Sequence, residues 1–205
     1  MTYRRFISLL LFFLTAWACS LQAQAVRYQG QDFADTVQLG GKQLVLSGIG
    51  ERAGYGFHGY SAALYMTAKG TTPDEVYAVT GPKRMELRIT LPYKSIGAQE
   101  FIKAINKGVG RNCTEAEKAA VAERVERLNA NLALMGDVKK GDLVLIDFVP
   151  ERGTTLVLNG KQYGDAVPGA DLFTAFLKVF LGQRVSDDRL KAGLLGQSTF
   201  KGQPT

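Results

Sequence analysis

The sequence predicts an α+β fold, in which a largely antiparallel sheet carries helices packed on one face. Short segments of alternating hydrophobicity fill the first half of the chain and return after residue 141, whereas two amphipathic helical patterns occupy the middle. Strands and helices do not alternate regularly, as they would in a parallel α/β fold. The 205 residues contain no repeat and no linker that would divide the chain into two domains.

Strand patterns dominate the first half of the chain. Glycines separate several of them, because glycine tolerates the backbone conformations of tight reversals. The predicted strand segments are 35–46, reversing at Gly40-Gly41, then 44–52, 60–66, 75–80 and 85–91.

Two helices are predicted in the middle of the chain. Ser95 is the expected cap of the first, and Thr114 with Glu117 forms a capping-box pattern that opens the second. The apolar stripes are Ala98, Phe101, Ile102, Ile105 and Val109 in the first helix, and Val121, Val125, Leu128, Leu132 and Met135 in the second.

The last third combines strands with a phenylalanine-rich helix. Asn159-Gly160 is a strong two-residue hairpin signal. The predicted strands are 142–149, 154–158 and 161–163, and the predicted helices are 168–181 and 186–195. The stripe of helix 168–181 consists of Leu172, Phe173, Phe176, Leu177, Phe180 and Leu181, and we expect it to cover one face of the sheet.

The hairpin formed by strands 44–52 and 60–66 carries the candidate site. A reversal near Gly56 predicts cross-strand pairs on one face of the sheet. A guanidinium and a phenol hydroxyl side by side suit a carboxylate or enolate oxygen, and the small neighbours should leave an unfilled space. The alternative is that the glycines mark a bulge or a close backbone approach, and that Arg52 pairs with Glu51 or another surface acid. The predicted pairs are Arg52 with Tyr60, Gly50 with Ala62, and Gly48 with Leu64.

The N-terminal segment has the features of a secretory signal. Arg4 and Arg5 precede an apolar run over residues 6–18, and Ala23-Gln24-Ala25 matches a small-x-small cleavage site. We therefore expect residues 1–25 to be a signal peptide cleaved after Ala25, which predicts a periplasmic protein. The expected domain covers 26–196, and 197–205 is expected to be a flexible tail.

Charge and residue counts exclude several functional classes. The formal charge falls from +6 to +4 without the signal, which carries two arginines and no acids, so nucleic-acid binding is not expected. Cys19 leaves with the signal, and Cys113 then has no intramolecular disulfide partner and is expected to be a buried thiol. His58 is the only histidine, so neither a metal site nor a serine triad is expected, and we predict no cofactor.

Three motifs together resemble the chalcone isomerase-like superfamily, in particular its bacterial exported members. They are Gly48-x-Gly50-x-Arg52 followed by Ala63-Leu64-Tyr65-Met66, the hairpin from Gly153-Thr154 to Asn159-Gly160, and the segment 176–182 before Val185-Ser186-Asp187. The resemblance covers nearly all of residues 30–196. It implies an open-faced β-sandwich with a ligand cleft between the large sheet and the helices.

The resemblance also implies roles for individual residues. Arg52 matches the arginine that binds the substrate in the isomerases, and Tyr60 matches the tyrosine with which non-catalytic fatty-acid-binding relatives hold a carboxylate. The isomerases carry a tyrosine and an asparagine on the helix that follows the Leu91-Pro92 strand, and these positions fall near Ala98 and Ile105 in this sequence. The isomerases also carry a hydroxyl residue on the late helix, and that position falls near Val179. These changes remove the groups that would orient a nucleophile and a water molecule for ring closure, whereas a binding pocket does not need those groups.

We therefore expect a periplasmic, non-catalytic binding protein for a fatty acid or a similar amphiphilic carboxylate. One alternative is an isomerase acting on a chalcone-like enone, with Arg52 as electrophile and Tyr60 as acid. Another is an envelope interaction module with a vestigial pocket. The head group is assigned to Arg52 and Tyr60, and the remaining predicted ligand-binding residues are Gly48, Gly50, Ala62, Leu64, Phe173, Phe176, Leu177 and Phe180.

Overall fold

The computed structural model of the chain describes residues 25–54, 57–91 and 95–197. Nine strands and five helices lie within these ranges. The strands are β1 (Ala25–Tyr28), β2 (Gln31–Ala34), β3 (Thr36–Leu39), β4 (Lys42–Gly54), β5 (Phe57–Met66), β6 (Lys83–Ile89), β7 (Leu143–Val149), β8 (Gly153–Leu158) and β9 (Lys161–Val167). The helices are α1 (Pro73–Ala78), α2 (Ala98–Asn112), α3 (Glu115–Met135), α4 (Ala170–Leu181) and α5 (Asp188–Leu194).

The main sheet has seven strands, β3 to β9, in sequential order and all antiparallel. Side chains alternate between its two faces, so Ala62 and Leu64 lie in a large core with the helices, whereas Ala63 and Tyr65 lie in a smaller core. The smaller core is completed by Phe33 from the two-stranded sheet β1-β2. This architecture confirms the predicted α+β class and the open-faced sandwich.

Several local predictions are confirmed by backbone geometry. Asn159 and Gly160 have φ angles of 49° and 82°, as a two-residue turn with the twist of the strands requires. The hydroxyl of Thr114 accepts from the Glu117 amide, and the Glu117 carboxylate accepts from the Thr114 amide, which completes the capping box of α3. Strand β9 extends to Val167, beyond the predicted end at residue 163.

Three local predictions are wrong or incomplete. Residues 73–78 form α1 instead of a strand, because Pro73 occupies the first turn and Thr72 forms a capping box with Glu75. Ser95 does not cap α2. Its hydroxyl donates to Asp137, and the N-cap is Gly97. The hairpin β1-β2 was not predicted.

Some predictions concern residues outside the described ranges. The signal segment before Ala25, the tail from residue 198 and the side chain of His58 are among them.

Cys113 is half-buried at the C-cap of α2, and burial raises the pKa of its thiol. Of the helices in the described ranges, none is long and apolar enough to cross a membrane.

Candidate functional site

The pairing of β4 with β5 confirms the predicted register. Arg52 lies opposite Tyr60, Gly50 opposite Ala62, and Gly48 opposite Leu64. The register shifts between Leu46 and Gly48. This bulge was one of the features that the alternative interpretation of the glycines anticipated.

The space over the two glycines is occupied by α5, so the expectation that they leave an empty space is wrong. A Cβ added to Gly48 would clash with the carbonyl oxygens of Gly193 and Leu194, the latter at 2.5 Å, and one added to Gly50 would clash with the carbonyl oxygen of Leu190. Backbone therefore packs directly on backbone, which only glycine permits here. Gly48 and Gly50 position α5 and do not line a cavity.

A cavity of about 520 Å³ lies next to this contact, between the inner face of the sheet, α2, α4 and the loop 182–187. Of the predicted ligand-binding residues, it brings together Arg52, Tyr60, Phe176 and Phe180. The other predicted side chains are packed into the core with the helices and do not line the cavity. These are Ala62, Leu64, Phe173 and Leu177, each at most 1% exposed.

Sequence analysis missed most of the apolar cavity wall. Leu87, Val144 and Ile146 form its floor on β6 and β7, and Leu87 lies directly opposite Val144. The alternation of these strands indicates that the three side chains are buried, but not that a cavity lies above them. Phe176 and Phe180 contribute an edge-to-face ring pair on α4, with centroids 5.2 Å apart.

Arg52 is held by the loop between α4 and α5. Its Nη1 donates to the carbonyl oxygen of Ser186 at 2.7 Å and lies 3.3 Å from Oδ2 of Asp187. The Arg52 side chain is 38% exposed and that of Asp187 is 6% exposed. Arg52 is therefore paired with an acid, as the alternative interpretation anticipated, although this acid is buried and distant in sequence.

Asp187 connects this ion pair to α5. Its Oδ1 accepts from the backbone amides of Arg189 at 3.0 Å and Leu190 at 3.3 Å, which caps the helix. The same loop is fixed on its other side by Asn112, whose Oδ1 accepts from the amide of Arg184 at 2.7 Å. The loop thus forms a tethered edge of the cavity.

Tyr60 is a neutral hydrogen-bond donor. The pKa of Tyr60 is raised to about 12, mainly because the hydroxyl is buried; nearby Arg52 lowers the pKa, and Asp187 raises it by a smaller amount. Its hydroxyl has no hydrogen-bond partner among the residues that the structure describes. It lines the cavity with Arg52, so both donors are positioned to bind an oxygen anion.

The positions at which the resemblance would place isomerase polar groups are apolar in the structure. Ile105 and Val179 line the cavity, and Ala98 is buried. Asn106, the nearest amide, is directed to α3, where its Oδ1 accepts from Asn129 at 3.0 Å. Within the described ranges there is also no group of three or more acids, histidines or cysteines that could hold a metal ion.

Comparisons with known proteins agree with the fold. The structure is similar to the crystal structure of a fatty-acid binding protein from Arabidopsis thaliana, with a TM-score of 0.61 and 11% identity. The alignment covers 84% of this chain and 96% of that chain, and at this identity it shows the fold alone. No curated protein matches the chain in sequence. The family model described as chalcone isomerase-like matches residues 25–196, and the chain therefore belongs to the chalcone isomerase-like family.

Proposed function

We propose that this protein is a non-catalytic binding protein for a fatty acid or a similar amphiphilic carboxylate, and that it acts in the periplasm. The observation that carries the proposal is one cavity with an apolar wall and an Arg52–Tyr60 donor pair at its edge. Its volume of about 520 Å³ falls in the range of roughly 300–1,000 Å³ typical of small-molecule sites. An apolar cavity of about 150 Å³ already holds benzene.

The tail is assigned to the apolar wall and the head group to the edge. Leu87, Val144 and Ile146 offer no hydrogen-bonding side chain to a polar ligand, so contact with them favours a hydrocarbon. Arg52 keeps a partly exposed guanidinium, and both of its contacts with described residues use Nη1. The rest of its donor fork therefore remains for a carboxylate, and the Tyr60 hydroxyl adds one donor.

The same geometry argues against catalysis. A tyrosine whose pKa is raised to about 12 is a weak proton donor at neutral pH, so it is poorly suited to the acid role that the isomerase alternative gives Tyr60. Ile105 and Val179 supply no group that could orient a nucleophile or a water molecule. The fold shared with a fatty-acid binding protein supports the binding hypothesis, although fold alone does not establish function.

The test is to identify what the protein carries. The full chain is expressed, purified from the periplasmic fraction, extracted with organic solvent and analysed by mass spectrometry. We expect about one amphiphilic acid per protein molecule. An empty protein that also fails to take up added dodecanoate would overturn the proposal.

Two alanine variants localise the ligand. Ala104 lies exposed on α2 at the cavity, so Ala104→Trp should obstruct it and abolish the bound acid. Ala119 is exposed on α3 and does not line the cavity, so Ala119→Trp is the matched control and should retain the acid. Equal occupancy in both variants would show that the acid binds elsewhere.

Export is tested in the same preparation. The proposal expects the mature chain to begin at residue 26 and to appear in the periplasmic fraction. Replacing Ala23 and Ala25 by larger residues should block cleavage. N-terminal sequencing of the fractionated protein distinguishes these outcomes, and a cytoplasmic chain that still begins at Met1 would refute the proposed location.

A further inference from the structure

Three cationic side chains at the cavity have no assigned role. Lys107 and Arg111 are exposed and lie one turn apart on α2, so they share one face of that helix. Arg184 reaches the same place from the loop after α4, where its Nε donates to the carbonyl oxygen of Arg111 at 3.4 Å. All three line the cavity. We call Lys107, Arg111 and Arg184 the basic rim.

The charges of the basic rim are not neutralised by nearby acids. Among the charged residues that line the cavity, Arg52 is paired with Asp187, and Lys103 lies 2.9 Å from Glu100. Within the described part of the chain, none of the three rim residues has an acidic partner. After these pairs are counted, a formal charge of +3 remains at the edge of an apolar cavity.

Local helix electrostatics explains only part of this arrangement. The C-terminal end of α2 carries partial negative charge, which favours Arg111 and Arg184. That effect falls off within the last turn, and Lys107 lies one turn earlier. Exposed cations that lack partners also repel one another, which a purely structural role would not require.

We propose that the basic rim binds a phosphate head group, so that the preferred ligand of the cavity is a single-chain lipid phosphate. A carboxylate carries one negative charge, whereas a phosphate monoester carries about 1.5 to 2 at pH 7 and offers three strong acceptor oxygens. Arginine forks match phosphate geometry, and a lysine adds a point charge. This inference rests on the proposed function, because it assigns the tail to the same apolar wall.

The experiment compares two ligands that share one tail. Dodecyl phosphate and dodecanoate are titrated below their micellar concentrations into the purified, delipidated full chain by calorimetry. We expect dodecyl phosphate to bind at least about tenfold more tightly, roughly the effect of one additional charge-assisted contact. The difference should shrink as salt is added, because the rim is exposed.

A charge-matched pair of variants separates the rim from net charge. In the rim variant, Lys107, Arg111 and Arg184 become Gln, which should bring the two affinities within about twofold of each other. In the control, Lys69, Lys140 and Arg152 become Gln. These three are exposed away from the cavity and have the same total charge, so the tenfold preference should persist.

Each failure has a distinct signature. Equal affinities in the wild-type chain would overturn the rim proposal and leave the binding function intact. No binding of either amphiphile would overturn both. Stoichiometric binding of inorganic phosphate as tight as that of dodecyl phosphate would identify free phosphate as the ligand and overturn the lipid assignment. Binding to anionic vesicles without binding of monomeric dodecyl phosphate would assign the basic rim to a membrane surface, and this result would also overturn the assignment of a lipid phosphate to the cavity.

Discussion

Gly48→Ala distinguishes the two interpretations of the glycines on β4. If Gly48 lined a ligand space, the added methyl group would weaken ligand binding and leave the stability of the protein unchanged. In the structure, Gly48 lies beneath α5 and does not line the cavity, so we expect the opposite result. The variant should lose stability and retain most of its affinity for an amphiphile.

The magnitude follows from the contact distances. The new Cβ would lie 2.5 Å from the Leu194 carbonyl oxygen and 2.6 Å from the Gly196 amide nitrogen, whereas ordinary contacts begin at 3.4 Å. The Gly193 carbonyl oxygen would lie closer still, and all three neighbours are backbone atoms, so α5 must move by at least about 0.9 Å, the difference between 3.4 and 2.5 Å. Overpacking of this kind costs about 1–3 kcal/mol. Complete release of α5 would cost more, because Leu190 and Leu194 are buried.

The assay is urea unfolding followed by circular dichroism. We expect a lower midpoint with an unchanged slope, and a melting temperature lowered by about 2–4 °C per kcal/mol. Gly110→Ala is the control, because Gly110 lies within α2 and has open space around it. That change should stabilise the protein by up to about 1 kcal/mol. A Gly48→Ala protein within about 0.5 kcal/mol of wild type, with weakened ligand binding, would refute the packing argument.

Three further predictions concern the cavity and its edge. Gly108→Ala places a Cβ 2.5 Å from Cγ1 of Val179, and the overpacking cost of about 1–3 kcal/mol is offset by a helix-propensity gain of up to about 1 kcal/mol. The variant should therefore be up to about 2 kcal/mol less stable than wild type in urea unfolding, and a stabilisation equal to that of Gly110→Ala would contradict this close approach. Asp187→Asn keeps a helix-capping side chain but removes the charge paired with Arg52, so the Arg52 guanidinium is left free for the ligand carboxylate, and dodecanoate should bind about two- to fivefold more tightly in calorimetry. Unchanged or weaker binding would count against Arg52 as a head-group ligand. The pKa of Tyr60 is raised to about 12 in the folded protein, so this tyrosine ionises first in the unfolded chain, and its contribution to stability is complete below pH 10 and decreases from pH 10 to 12. Between about pH 9 and 11.5, the free energy of unfolding should therefore fall less in Tyr60→Phe than in wild type, and equal decreases would contradict the pKa shift.

Local patterns in the sequence determined most of the elements. The Arg52–Tyr60 pair was predicted from the glycine-rich segment between the two strands, although the register shifts between Arg52 and Ala53. The α3 boundary follows from Thr114 and Glu117, because the capping interactions lie within three residues. The same logic fails at residues 75–80, where an apolar pattern suggests a strand. The cap formed by Thr72 and Glu75 instead makes this segment helical.

Only the tertiary structure decided what the site residues contact. Arg52 and Ser186 are 134 positions apart, and no periodicity predicts that a loop carbonyl and Asp187 will meet this guanidinium. The sequence shows that Gly48 and Gly50 are small, but the docking of α5 decides that their space is filled. Cavity position also depends on how α2 and α4 pack over the sheet. Patterns determine which side chains are buried, whereas the long-range arrangement of whole elements determines which of them surround an open volume.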